Sequence, residues 1–181
     1  MKNNKFKTTN KIIFCLLFFI IGFFLLFFCL DWRLNTNPSI KVGIYQLKKE
    51  KPQKNDYVSF CPPKNPIFLM ALNRGYLKHG YCSIQSLPMM KKIIAQEGDT
   101  ISIEKNGIYV NQVLIKNSQQ QLKDGNNEKL PQPKIKNQIL KKGELLLFGD
   151  NTPRSFDCRY FGILNENQIQ IHGVLKPILI F

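Results

Sequence analysis

The sequence is short of the residues that build metal centres. Only two histidines occur in 181 residues, His79 and His172, and none of the five cysteines stands beside them at metal-ligand spacing. No zinc site and no other cofactor is therefore expected. Acidic residues are also scarce, 12 against 26 Lys and Arg, and the first 30 residues contain none. Small residues of the Ala-x-Ala kind are missing before Asp31, where Phe28 and Leu30 stand instead, which argues against a cleaved secretory signal. There is no internal repeat and no second long apolar run.

The chain does hold one apolar run, Ile12 to Leu30, of 19 residues. At a rise of about 1.5 Å per residue it is long enough for the roughly 30 Å hydrocarbon core of a bilayer, so a single transmembrane helix is expected. Lys2, Lys5, Lys7 and Lys11 precede the run, and the positive-inside rule puts that end in the cytoplasm. The expected layout is a basic cytoplasmic N-terminus over residues 1–11, an anchor over 12–30, and an extracytoplasmic domain over 31–181. Trp32 and Arg33 stand where interfacial anchors are usual. The location this implies is the inner (cytoplasmic) membrane, crossed once, with the folded domain on the periplasmic side.

Without the four N-terminal lysines, 22 basic residues remain against 12 acidic ones, +10, on about 150 residues, enough for one domain with its own core. The basic residues are scattered, as on a solvated Lys-rich surface, so no nucleic-acid partner is expected; anionic lipid headgroups are the nearer polyanion. Cys61, Cys82 and Cys158 are the cysteines of this domain, and an odd number allows at most one bridge. Cys61 and Cys82 bracket a segment rich in Pro and Gly. They are either a disulfide closing that loop, with Cys158 left over, or two separate thiols.

Short apolar stretches between turn residues predict strands at Ile40 to Leu47, Tyr57 to Phe60, Met89 to Gln96, Thr100 to Glu104, Ile108 to Ile115, Glu144 to Phe148 and Gly173 to Ile180. Asn106-Gly107 reads as a hairpin turn. Pro66 to Leu77 predicts one short helix, and the polar residues 116–140 read as a long excursion of weak structure. The fold class is mainly β, on a single N-terminal helix.

Three segments carry chemistry. Asn35-Thr36-Asn37-Pro38-Ser39-Ile40-Lys41 places Ser39 nine residues after the apolar run, close to where the cleavage site of a membrane-tethered substrate would lie. In Met90-Lys91-Lys92-Ile93-Ile94-Ala95-Gln96-Glu97-Gly98-Asp99, strand alternation allows only one of the two lysines to point inward. An inward Lys is desolvated, and its pKa falls from about 10.4 toward the range of a working base. The third segment, Gly149 to Gly162, crowds polar groups into a loop after an apolar strand, which is where function concentrates.

In this order behind an N-terminal apolar helix, the three segments resemble the type I signal peptidase family (peptidase S26). The nearest likeness is its conjugative transfer branch, the TraF type, with Ser-x-Pro-x-Gly-x-Tyr around the nucleophile. Phe60-Cys61-Pro62-Pro63, Arg74-Gly75-Tyr76-Leu77 followed by Cys82, and Ser155-Phe156-Asp157 with Arg159-Tyr160-Phe161-Gly162 are further signs of that branch. The resemblance implies a signal peptidase/LexA-like β domain with a Ser-Lys dyad, Ser39 as nucleophile and Lys91 as general base. It implies that the Ser39 N–H is one oxyanion donor and that Asn37, where the family has a hydroxyl, supplies the second. Ser155 falls where a hydroxyl orients the Lys amine, Asp157 and Arg159 where the site is braced, and Asp150 is a partner for Lys92. Lys41 stands where the family usually has Pro, which would fix an extended backbone there; two residues from Ser39, it is also a rival base. Cys158 replaces a Ser.

The function implied is that of a membrane-anchored serine endopeptidase that processes a secreted, membrane-tethered precursor, by resemblance a pilin subunit of a conjugation apparatus. Some relatives join the new ends of the pilin into a ring instead of releasing them to water. The alternatives are a general signal peptidase of broad specificity, or an inactive scaffold component of a conjugation or secretion complex, which the departures at Asn37 and Lys41 would favour.

Overall fold

The computed structural model describes residues 2–181, with the side chains of residues 2–10 and of Ile12 outside the described set. Helix α1 spans Lys2–Cys29, and its described side chains from Ile13 to Phe28 are apolar and mostly exposed. Among the described residues, no helix is long and apolar enough to cross a membrane. The side chains of Lys2, Lys5 and Lys7, in the expected cytoplasmic N-terminus, and of Ile12, the first residue of the expected anchor, lie outside the described set.

Beyond α1 the chain is mainly β. Strands β1 (Trp32–Asn35), β2 (Gly43–Lys48), β3 (Tyr57–Cys61) and β4 (Met89–Ala95) lead, after the hairpin β5 (Thr100–Glu104) and β6 (Gly107–Val110), to β7 (Val113–Leu114), β8 (Ile135–Ile139), β9 (Glu144–Phe148), β10 (Leu164–Asn165) and β11 (Gln170–Ile180). Seven of them form one sheet in the order β1-β2-β11-β3-β4-β9-β10, and four form a second in the order β7-β6-β5-β8; every pairing is antiparallel. One large core joins the sheets, with Val58, Phe60, Ile93, Ile101, Ile108 and Leu147 among its buried members. A smaller cluster of Ile40, Tyr45, Leu47 and Leu175 lies beneath the segment that carries Ser39.

Several predicted elements are placed differently, each for a local reason. The strand predicted at Ile40 begins only at Gly43, because residues 36–42 form a loop held by side chains. The stretch Ile108 to Ile115 breaks at Asn111 and Gln112, both in the left-handed region. Helix α2 is Pro66–Asn73, shorter than predicted. Asn65 caps its start by accepting from the Phe68 N–H at 3.1 Å, and Gly75, at φ 73, turns the chain away just after its end. Strands β1 and β8 and the short helix α3 (Cys158–Phe161) were not anticipated; β8, Ile-Lys-Asn-Gln-Ile, is a largely exposed edge strand whose polar composition hides it.

The excursion before β8 has little regular structure, but it is tied down. Arg74 forms an ion pair with Glu128 at 2.6 Å, Tyr76 donates to Asp124, and the Gln121 N–H donates to the Tyr160 hydroxyl at 3.2 Å. Cys61 and Cys82 form a disulfide with a Cα–Cα distance of 5.4 Å, and Cys158 is a buried free thiol. The bridge binds the end of β3 to the loop after α2, closing a span of 21 residues. By the chain-entropy relation, replacing both cysteines with Ser is expected to cost about 3 kcal/mol of stability. Denaturant midpoints of the variant and of the reduced wild type should fall together; an unchanged midpoint would show that the loop is held without the bridge.

Candidate active site

The alternation of β4 decides which lysine enters the protein. Lys91 pairs in register with Val58 of β3 and is 3% exposed, whereas Lys92 is half-buried and reaches Asp150 at 3.6 Å. Beside it runs β9, whose end delivers the loop from Gly149 to Asp157 to the same place. Ser155 is the contact: the Lys91 amine donates to Ser155 Oγ at 3.0 Å, and Ser155 Oγ donates to Ser39 Oγ at 3.2 Å. All three side chains are buried. Lys91 therefore reaches Ser39 through the Ser155 hydroxyl. Lys41, the rival base, is exposed.

Desolvation is the largest influence on the Lys91 amine and lowers its pKa to about 8. The Asp157 carboxylate opposes that shift and the Arg159 guanidinium supports it. Asp157 and Arg159 form a fully buried ion pair at 2.8 Å, so the two largely offset each other at Lys91. Asp157 also accepts from the Gly149 N–H at 3.0 Å and caps α3 through the Arg159 N–H. Burial pushes the Cys158 thiol up, and it stays a protonated packing group. Asp150 accepts from the Tyr57 hydroxyl at 2.7 Å, so it braces the exposed side of the loop and does not touch the three central side chains.

Asn37 departs from expectation. Its side-chain oxygen accepts from the Ser39 N–H at 2.9 Å, so one anticipated oxyanion donor is occupied by the residue expected to supply the other. The cause is local: an Asn two residues ahead of a backbone N–H readily closes this small ring.

A cleft passes over Ser39. On one side it is walled by Leu34, Leu77, Leu87 and Met90, and on the other by Gln121, Leu130, Arg154 and Tyr160; Asn37, Tyr76 and Phe156 border both sides. The first side has a volume of about 150 Å³ and the second about 980 Å³. The excursion thus forms one wall of the cleft.

Three residues that the sequence did not single out as site residues touch this centre. Gly149 is required by space: a Cβ there would overlap Ser155 Oγ and stand 3.0 Å from the Ser39 carbonyl. Asn35 and Asn151 bond to the backbone around Ser39. The Gly-Asp-Asn run was visible as a motif, but an Asn in a loop carries no signal of its partner. Gly149→Ala is expected to displace Ser155 and lower turnover by roughly 100-fold, at a stability cost of about 1–3 kcal/mol from overpacking. Comparing kcat with the melting temperature checks this, and full activity in a folded variant would remove Ser155 from the chemistry.

Comparisons with known proteins bear on the family of the chain. The chain matches the family described as signal peptidase, peptidase S26, over residues 7–178. It is 37% identical over 147 residues to a plasmid transfer protein TraF of Escherichia coli, covering 81% of this chain and 82% of that protein. It is 28% identical over 152 residues to a conjugal transfer protein TraF of Agrobacterium fabrum, covering 83% of each. A crystal structure of a signal peptidase I from Enterococcus faecalis aligns with a TM-score of 0.41 at 24% identity, over 71% of this chain and all of that one. On the match across nearly its whole length, this chain belongs to the signal peptidase family, peptidase S26.

Proposed function

We propose that the protein is a membrane-anchored serine endopeptidase with a Ser39–Lys91 dyad that matures a secreted precursor for conjugation, in all respects of chemistry a signal peptidase. The observation that carries the reading is the buried array Lys91 Nζ, Ser155 Oγ, Ser39 Oγ, linked at 3.0 and 3.2 Å. An amine with a pKa of about 8 is partly free near neutrality and can act as a base without histidine. Ser39 Oγ attacks the scissile carbonyl carbon and gives up its proton toward Lys91, along the Ser155 hydroxyl that touches both. The ammonium then protonates the leaving nitrogen as the C–N bond breaks, leaving an acyl-enzyme on Ser39. Water, or an amine of the substrate itself, takes the acyl group and restores Ser39.

The precursor is a pilin-like chain tethered in the membrane, a reading supported by the plasmid and conjugal transfer roles in the names of the relatives. The run Ile12–Leu30 anchors the enzyme beside it, with residues 1–11 in the cytoplasm and residues 31–181 outside. Support for the anchor comes from α1, whose Phe14, Phe18, Phe19 and Phe28 are exposed and need an apolar surrounding. The Cys61–Cys82 disulfide fits an oxidising compartment outside the cytoplasm. An inert scaffold is the second reading, and the observation favouring it is the Asn37 oxygen seated on the Ser39 N–H.

Three experiments test these readings. Ser39→Ala and Lys91→Ala should each abolish precursor processing in cells, followed by mass spectrometry of the mature product; processing that persists in either variant sinks the dyad. For the pH profile, the charged amine cannot accept a proton, so kcat/KM should rise about tenfold per pH unit below about 8 and level off above it. A flat profile through that range would exclude Lys91 as the base. For Asn37, replacement by Asp leaves an acceptor on the Ser39 N–H and removes the second donor, so turnover should drop by roughly 10²- to 10³-fold. Asn37→Ser restores a hydroxyl donor and should remain active, whereas two inactive or two unaffected variants would both contradict the assigned role.

A further inference from the structure

The loop that carries Ser39 has no proline at position 41 and no regular backbone pairing of its own, yet Ser39 is buried and held in line with Ser155. Most of its backbone bonds go to side chains. Asn35, itself 3% exposed, lies at the end of β1 and faces into the loop. Its side-chain nitrogen donates to the carbonyls of Asn37 at 2.9 Å, Lys41 at 2.9 Å and Ile40 at 3.3 Å, and its oxygen accepts from the Asn37 N–H at 3.0 Å. One amide thus ties together both ends of the turn around Ser39. The Lys41 carbonyl takes a second bond, from the Tyr45 hydroxyl at 2.7 Å. From the opposite side, Asn151 donates its side-chain N–H to the Pro38 carbonyl at 3.0 Å and its backbone N–H to the Ser39 carbonyl at 3.2 Å.

We propose that Asn35 and Asn151 are positioning residues for the nucleophile: two side-chain amides fix the Pro38–Lys41 backbone and supply the rigidity that a proline at 41 would otherwise give. Asn35 closes the loop on itself, and Asn151 fastens it to the strand-end loop that bears Ser155. The carbonyls of Pro38 and Ser39 are thereby fixed to the same segment as the hydroxyl that Ser39 must meet. A buried polar side chain with its bonding capacity in use specifies a single backbone arrangement, because any other would leave its donors unpaired. The ring of bonds also explains why an unpaired Lys is tolerated at 41: its carbonyl is used and its side chain is not. No backbone bond from the Lys41 N–H is seen, so a proline there would sacrifice none.

The proposal rests on Ser39 being the nucleophile, and its test separates the two. Full-length protein in detergent is compared as wild type, Asn35→Asp, Asn151→Ala, and Asn35→Asp combined with Lys41→Pro. Asn35→Asp keeps the acceptor for the Asn37 N–H and removes the donors. The chemical readout is the rate at which an aryl fluorophosphonate, a small serine-directed probe, labels Ser39 across pH. Both single variants should label roughly 10- to 100-fold more slowly at the plateau, while the pH midpoint set by Lys91 stays in place. The double variant should recover part of the loss. The second readout is hydrogen exchange of peptides covering residues 36–42, which should quicken in both single variants and slow again with Lys41→Pro. Exchange reads the clamp even if Ser39 proves inert toward the probe, in which case the nucleophile assignment falls and the clamp is judged on exchange alone. Unchanged exchange in Asn35→Asp and Asn151→Ala overturns the proposal, as does a labelling loss that comes with a shifted midpoint or with general unfolding. Because a buried Asp can destabilise the fold, the exposed Asn151→Ala variant keeps the test decisive.

Discussion

The site depends on one buried ion pair. Asp157 and Arg159 are completely removed from solvent, and such a pair is costly unless every donor and acceptor is used. Here they are. Arg159 grips both oxygens of Asp157 at 2.8 Å, donates to the carbonyls of Pro153 at 3.0 Å and Ser155 at 3.1 Å, and lies over the rings of Phe148 and Tyr160. Asp157 in turn takes the Gly149 and Arg159 N–H groups. The loop from Gly149 to Phe161 is folded around this pair, and Ser155 is placed by it. The pair has an electrostatic effect as well. A lone Asp157 beside Lys91 would hold the amine charged; with Arg159 opposite, burial is left to set the protonation state.

What was legible in the sequence was chemistry at fixed spacing. Ser39, Lys91, Ser155, Asp157 and Arg159 were named through the resemblance that their motif spacing carries, and β4 could be read because its alternation forces one lysine inward. Strands β5 and β9 were predicted with the observed bounds, since each is a clean apolar stretch between turns. The shape of the loop that carries Ser39 was not legible. It is made by Asn35 and Asn151, and an Asn side chain announces neither its partner nor its distance; Asn151 reaches across 113 positions. The same limit hid the Asn37 oxygen on the Ser39 N–H, where residue type suggested a donor and geometry supplied an acceptor. The excursion before β8 was legible only as a loop. Its attachment through Arg74, Tyr76 and Tyr160 depends on contacts that composition does not record.

The cleft over Ser39 follows from these parts. Phe156 is stacked on Tyr160 with rings 5.9 Å apart and 7° from parallel, and it meets Phe68 of α2 edge-on at 6.2 Å. Within this aromatic block Phe156, the residue next to Ser155, borders both sides of the cleft. Packing of α2, which the disulfide-closed segment carries, and placement of the loop that bears Ser155 are therefore one structural problem.

The order of strands in the large sheet has a consequence in time. β1 and β2, which flank Ser39, are joined to β3, β4 and β9, which hold Lys91 and lead to Ser155, only through β11 between them. β11 also follows all of them in the chain. Until it inserts, the strands that flank Ser39 and those that hold Lys91 have no sheet in common, so the three central side chains have no frame that brings them together. Pairings between such distant segments form late and slowly. Assembly of the Lys91–Ser155–Ser39 array thus waits, by topology alone, on the pairing of β11.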